Sequence, residues 1–148
     1  MNYNLIEVPV VELIYKKKGT RKHKIESPAD IHALLVPPLE DTLEHHTSTV
    51  VILLNGKNQV LGVSSIGEGA LTYSITDVRF ILQLAILSNC KGVIVCMNNP
   101  SCEIEPTSLD DELKDQIKVA LSYFDVDLID YFLYNPEEYY SYAIMNKL

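Results

Sequence analysis

The run Val93-Ile94-Val95-Cys96-Met97 constrains this chain more than any other segment. It is a short, continuous apolar stretch released from Gly92, the pattern of a strand covered on both faces. Thr49–Leu54 and Gln59–Ile66 are apolar too, and Asn55-Gly56-Lys57-Asn58 separates them. An Asn-Gly pair favours positive φ, which predicts a β-hairpin. Helices alternate with these strands. Ser27-Pro28-Ala29-Asp30 opens one with a hydroxyl cap followed by proline, and Pro37-Pro38 is expected to end or sharply bend it. Thr76-Asp77 caps a second helix, with Val78, Ile81, Leu82, Ala85 and Ile86 at helical spacing. A third begins near Ser108 and sets Leu109, Leu113, Ile117, Ala120, Leu121 and Phe124 on one stripe, opposite Asp110, Asp111, Glu112 and Asp115. Val8–Tyr15 reads as a first strand, placed at an edge or strand start by Pro9. Val126–Tyr134 and Tyr139–Ala143, split by Asn135-Pro136, read as a closing hairpin. The sum is an α/β sandwich on a mixed sheet.

At 148 residues and 47% hydrophobic composition, the chain has room for one domain of ordinary size. Its net charge is −8, unevenly placed. Residues 1–24 hold Lys16, Lys17, Lys18, Arg21, Lys22 and Lys24 against Glu7 and Glu12, a balance of +4, while residues 25–148 balance at −12. Blanket phosphate neutralisation calls for a basic domain, so nucleic-acid binding is disfavoured and rests on the 16–24 segment alone. That segment otherwise reads as a solvated loop. No apolar run has membrane-spanning length, and the start lacks the order of a signal peptide. Three cysteines, Cys90, Cys96 and Cys102, are too few and too odd for a disulfide scaffold, so a cytoplasmic protein with reduced thiols is expected.

Several phrases then agree in order with one family. LLNGKNQVLGVSSIGEG, MNNPSC followed by EPTSLDD, LIDY, EEYYSYA, and VELIYKKK ahead of KIESPADIHALL resemble the RadC-like family, bacterial members of the JAB/MPN metallohydrolase fold. The resemblance covers about residues 8–143. It implies a cytidine deaminase-like sandwich, a mixed sheet flanked by three helices. One domain then spans 1–148: an edge strand and basic segment over 1–24, and an acidic body over 25–148.

The same resemblance implies a zinc site: His-x-His, seven residues, Ser-x-x-Asp, and a glutamate base on an earlier strand. Two imidazoles and a carboxylate suit Zn²⁺ and leave a position for an activated water. Carried onto this chain, the histidines fall at Met97 and Asn99, the serine at Thr107 and the aspartate at Asp110. The glutamate falls near Thr47 or Ser48, with Glu44 about three residues off register. A thioether is a poor zinc ligand and a neutral amide oxygen a weak one, so no zinc and no catalysis are expected. A replacement site would have to draw on Cys96, Met97 and Cys102 beside Asp110, or on His45 and His46. Cys96 should face away from Met97, because strand side chains alternate, and adjacent histidines before a strand read as a solvated connection. Cys102 as a nucleophile lacks an identifiable base and oxyanion hole. Thr107-x-x-Asp110 is also a capping box in its own right. The terminal tyrosines (Tyr131, Tyr134, Tyr139, Tyr140 and Tyr142) read as strand residues, half of them facing out, where an exposed aromatic row could bind a peptide.

The expectation is therefore a RadC-like domain without catalysis that works through a protein partner or self-association. The alternatives are a metal-dependent isopeptidase or related hydrolase built on Asp110, and the nucleic-acid binder implied by the family's DNA-repair label.

Overall fold

A computed structural model describes residues 23–43, 47–69, 77–100 and 104–148, with the side chains of 37–43 and 67–69 outside the description. The elements are α1 (Pro28–Leu43), β1 (Thr47–Leu54), β2 (Val60–Gly69), α2 (Val78–Ser88), β3 (Gly92–Asn98), α3 (Ser108–Ser122), β4 (Asp127–Tyr134) and β5 (Tyr139–Ser141). The expected first strand, Val8–Tyr15, lies outside the described residues. The five strands form one sheet in the order β2-β1-β3-β4-β5, antiparallel except for the parallel β3/β4 pair that α3 connects.

Alternation along the strands sorts side chains into two cores. Val50, Ile52, Leu54, Ile94, Cys96, Phe132 and Tyr134 pack with Ile31 and Leu35 of α1. Val51, Leu53, Val93, Val95, Tyr131 and Leu133 pack on the other face with Ile81 and Ala85 of α2 and Ile117 and Leu121 of α3. The Val93–Met97 run is apolar throughout because helices cover both sides of β3. Gly92 is required by close approach: a Cβ there would lie 2.6 Å from Ile129 Cγ1.

Four local expectations change. The helix is not ended at Pro37-Pro38 but continues to Leu43. Prolines at 37 and 38 carry no amide hydrogen, so the rungs to the Ala33 and Leu34 carbonyls are lost while the helix runs on. The hairpin forms, but its positive φ is at Asn58 (57°), not at Gly56. Asn55 organises the turn, its Oδ1 accepting from the Lys57 and Gln59 amides at 2.9 and 3.0 Å. The inward stripe of α3 keeps Leu113, Ile117, Ala120 and Leu121 but not its two ends, and it takes in Asp110 and Lys114. Lys114, Ile117 and Leu121 are buried and Asp110 is partly so, whereas Leu109 and Phe124 are half exposed. Two charged residues occupy that stripe, so apolar spacing passed it over. Phe124 lies beyond the helix in a turn that Asp125 completes at φ 54°. The outward aromatic row is not there either. Tyr131 and Tyr134 are fully buried because β4 is an interior strand covered on both faces, Tyr142 is fully buried just beyond β5, Tyr140 is half-buried, and of the five Tyr139 alone is exposed.

No helix among the described residues is long and apolar enough to cross a membrane.

Candidate functional site

The carboxyl end of β3 and the amino end of α3 meet where a β-α-β crossover brings them together. Met97 is the last residue of β3 to face the α2/α3 side, and it is half-buried. Across the ladder its partner on β1 is Thr49, fully buried, whose Oγ1 donates to Met97 Sδ at 3.1 Å. Thr47 and Ser48, where the resemblance places a glutamate, pair instead with Gly69 and Glu68 of β2. The side chain facing Met97 is thus a hydroxyl one position further along. Asn99 follows the strand and extends the parallel ladder, its amide donating to the Tyr134 carbonyl at 2.9 Å.

Thr107 is the N-cap of α3, in extended conformation, and it forms the complete capping box anticipated from Thr107-x-x-Asp110. Asp110 Oδ2 accepts from the Thr107 amide and from its hydroxyl, both at 2.8 Å. Asp110 Oδ1 accepts from the Tyr131 hydroxyl at 3.2 Å. Both carboxylate oxygens are therefore engaged within the chain. The neighbouring Asp111 repeats the arrangement, with Oδ1 accepting from the Tyr142 hydroxyl at 2.9 Å.

The two tyrosines meet edge to face, ring centroids 5.3 Å apart. Burial, then the adjacent Asp110 carboxylate, pushes the Tyr131 phenol well above its ordinary value. Burial, then the hydrogen bond to Asp111, does the same at Tyr142. Both phenols stay protonated and remain donors. Lys114 extends the cluster: its Nζ donates to the Lys147 carbonyl at 2.8 Å, pairs with Asp115 at 2.9 Å and lies 5.7 Å from the Tyr142 ring centroid.

Tyr131, Tyr142, Lys114 and Thr49 were not anticipated at this corner. The two tyrosines were legible only as strand residues, because which carboxylate each would reach depends on the crossover. Thr49 carried the signal of a polar residue opening an otherwise apolar strand.

Cys96 is fully buried on the face opposite Met97, as alternation requires. Burial raises its thiol well above the usual range, with Asp130 adding to the effect, so it stays neutral. His45, His46, Glu44 and Cys102 lie outside the described residues, as do Lys16, Lys17, Lys18, Arg21 and Lys22. Lys24, exposed, pairs with Glu26 at 2.7 Å. Among the described residues, no three His, Cys, Asp or Glu side chains converge in a way that could hold a metal ion.

A buried carboxylate outside this corner fastens the C-terminal segment. Asp130 on β4 accepts from the Ser141 hydroxyl and, at 3.0 Å, from the Ala143 amide. Burial raises its carboxyl above the usual range, and the hydrogen bonds from Ser141 and Ala143 offset part of that.

A family model described as the RadC-like JAB domain matches residues 25–147. Among curated relatives, a UPF0758 protein of Flavobacterium johnsoniae is 29% identical over 120 residues, covering 81% of this chain and 52% of the relative. A UPF0758 protein of Staphylococcus haemolyticus is 28% identical over 130 residues, covering 88% of this chain and 56% of the relative. One of Chlorobium phaeovibrioides is 27% identical over 136 residues, covering 92% and 59%. The chain spans between half and three-fifths of the length of these relatives.

Proposed function

The chain belongs to the RadC-like JAB domain family, and on that premise we propose that it is a catalytically inactive member acting as a binding or scaffold module in the cytoplasm. We read residues 1–148 as one such module, with the acidic body over 25–148. The observation that carries this reading is the engagement of Asp110. Its two oxygens hold the amino end of α3 and the Tyr131 hydroxyl, and the residue has a complete structural role without a metal.

The other two ligand positions do not fit zinc. Met97 offers a thioether that already accepts from Thr49, and Asn99 offers a neutral amide. Imidazole supplies both charge-matched basicity and fixed geometry at such a site, and neither replacement does. The position facing Met97 on β1 is a threonine hydroxyl, which cannot act as a base toward bound water near neutral pH. A phosphate-binding reading has less support. Lys24 is already paired with Glu26, and the −12 balance of residues 25–148 repels a polyanion.

Metal content by elemental analysis tests the proposal, on protein purified without chelator and again after zinc loading and desalting. Substoichiometric zinc that washes out is the expected result. One equivalent retained per chain would overturn the reading, and the ligands would then be sought by substituting Asp110, Cys96, Cys102, His45 and His46 in turn.

A further inference from the structure

Asn55-Gly56 is the single asparagine–glycine pair in the chain, and it sets a nucleophile beside an electrophile. The Gly56 amide nitrogen, once it has lost its proton to water, can attack Cγ of Asn55. A C–N bond forms, the Cγ–Nδ2 bond breaks, and the departing nitrogen takes a proton back from water and leaves as ammonia. The cyclic imide then adds water at either carbonyl and opens to aspartate or isoaspartate. Water is consumed, ammonia is released, and nothing is oxidised or reduced. Glycine suits the step because it has no Cβ to shield its nitrogen.

The fold treats the two reactants differently. Gly56 is exposed, and a Cβ built there would meet Lys91 Cγ alone, at 3.9 Å. No hydrogen bond among the described residues holds the Gly56 amide. The carboxamide of Asn55, in contrast, is held at both ends. Its Oδ1 accepts from the Lys57 and Gln59 amides at 2.9 and 3.0 Å, and its Nδ2 donates to Gln59 Oε1 at 2.9 Å. The backbone of Asn55 is tied as well. Its amide donates to the Gln59 carbonyl and its carbonyl accepts from the Asn58 amide, both at 3.0 Å.

We propose that Asn55 is a deamidation site gated by the β1–β2 turn, closed while the turn is formed and reactive in the molecules whose turn has opened. Ring closure has to rotate the carboxamide about Cα–Cβ and Cβ–Cγ until Cγ faces the Gly56 nitrogen. That rotation breaks the bond to Gln59 and draws Oδ1 away from its two amides. A turn beside a terminal strand of the sheet can open without the rest of the fold, and β2 is such a strand among the described residues.

The products differ in what they leave standing. Aspartate keeps an acceptor for the two amides and loses only the donor to Gln59. Isoaspartate carries the main chain through the former side chain, and the added methylene disturbs the closure that pairs Leu54 with Val60. The same turn anchors residues 23–25. The Ile25 amide donates to the Asn58 carbonyl at 2.9 Å and the Val60 amide to the His23 carbonyl at 2.7 Å. Modification at Asn55 therefore loosens, in one direction only, the junction between the basic segment and the acidic body.

The test is prolonged incubation of the full chain near neutral pH, followed by peptide mass spectrometry with aspartate and isoaspartate forms separated by chromatography. Conversion at Asn55 is expected ahead of every other asparagine, and more slowly in the folded chain than in the same chain held in urea. Gln59→Ala, which removes the Nδ2 acceptor, should speed conversion in the folded chain about two- to tenfold. Gln59→Glu, which retains an acceptor, should stay near wild type. Gly56→Ala should slow conversion in folded and unfolded chains alike. The urea comparison needs no substitution, so it decides the matter even where Gln59→Ala opens the hairpin altogether. Three results would each overturn the proposal: a folded chain that converts as fast as the unfolded one, a folded Gln59→Ala chain with the wild-type rate, or an Asn55 that stays intact in urea.

Discussion

Asp110 illustrates how one side chain can satisfy two descriptions. By position it matches a metal ligand, yet it accepts three hydrogen bonds from within the chain. Replacing it with alanine removes the capping box and leaves the Tyr131 hydroxyl without its acceptor. Asp110→Ala should therefore lose about 2 kcal/mol of stability in chelator-treated buffer, read from urea midpoints. A residue retained for a metal alone would leave metal-free stability unchanged. Asp130 makes a second residue-scale case. Its carboxyl titrates above the ordinary range in the folded protein, mainly through burial. A raised folded-state value means the native chain holds the proton more tightly than the unfolded chain. The corresponding stability is full below the unfolded value of about 3.9 and is lost as pH rises through the folded value. Wild type should thus gain stability relative to Asp130→Asn on going from pH 7 to pH 4. Asp130→Ala, which strands the Ser141 hydroxyl and the Ala143 amide, should cost about 2–3 kcal/mol at either pH.

Elements were legible where a local rule was strong and isolated. The Thr107-x-x-Asp110 box, the Asp77 cap and the apolar run of β3 all stand as their residues imply. What was misplaced needed information from a neighbouring element. The β1–β2 turn is the clearest instance, because Asn55, Gly56 and Asn58 all tolerate positive φ and the closed turn selects among them. Asn58 carries φ 57°, and Gly56 has only Lys91 Cγ near its missing Cβ, at 3.9 Å. Asn58→Ala should therefore cost about 1 kcal/mol in thermal or urea unfolding, whereas Gly56→Ala should be close to neutral. The Asn-Gly signal alone would anticipate the reverse. The α3 stripe departs from apolar spacing at Asp110 and Lys114 for a related reason. Asp110 and Lys114 face inward because Tyr131, Tyr142 and the Lys147 carbonyl offer them partners, and none of these is adjacent in sequence. The candidate site was half legible. Its four carried-over positions could be named from spacing, but the tyrosine donors and Thr49 depend on the β1/β3/β4 register.

At the scale of the whole molecule, the two-sided cover of β3 follows directly from its continuous apolar run, and Gly92 is the point where that cover is tightest. A methyl at Gly92 has to displace Ile129, so Gly92→Ala should destabilise by roughly 1–3 kcal/mol without changing the fold. The single parallel pairing has a consequence in time. β1 and β2 close on a five-residue connection of adjacent chain, while β3 and β4 meet only after the whole of α3 has been laid across the sheet. Closing the longer loop costs more entropy before any contact rewards it. During refolding, pulse-labelled amides of Thr47–Leu54 should acquire protection before those of Asp127–Tyr134. Because Tyr131 reaches Asp110 only when that crossover docks, the corner where the family resemblance places chemistry is among the last parts of the molecule to come into existence. A nascent or destabilised chain would present its hairpin intact and this corner unassembled.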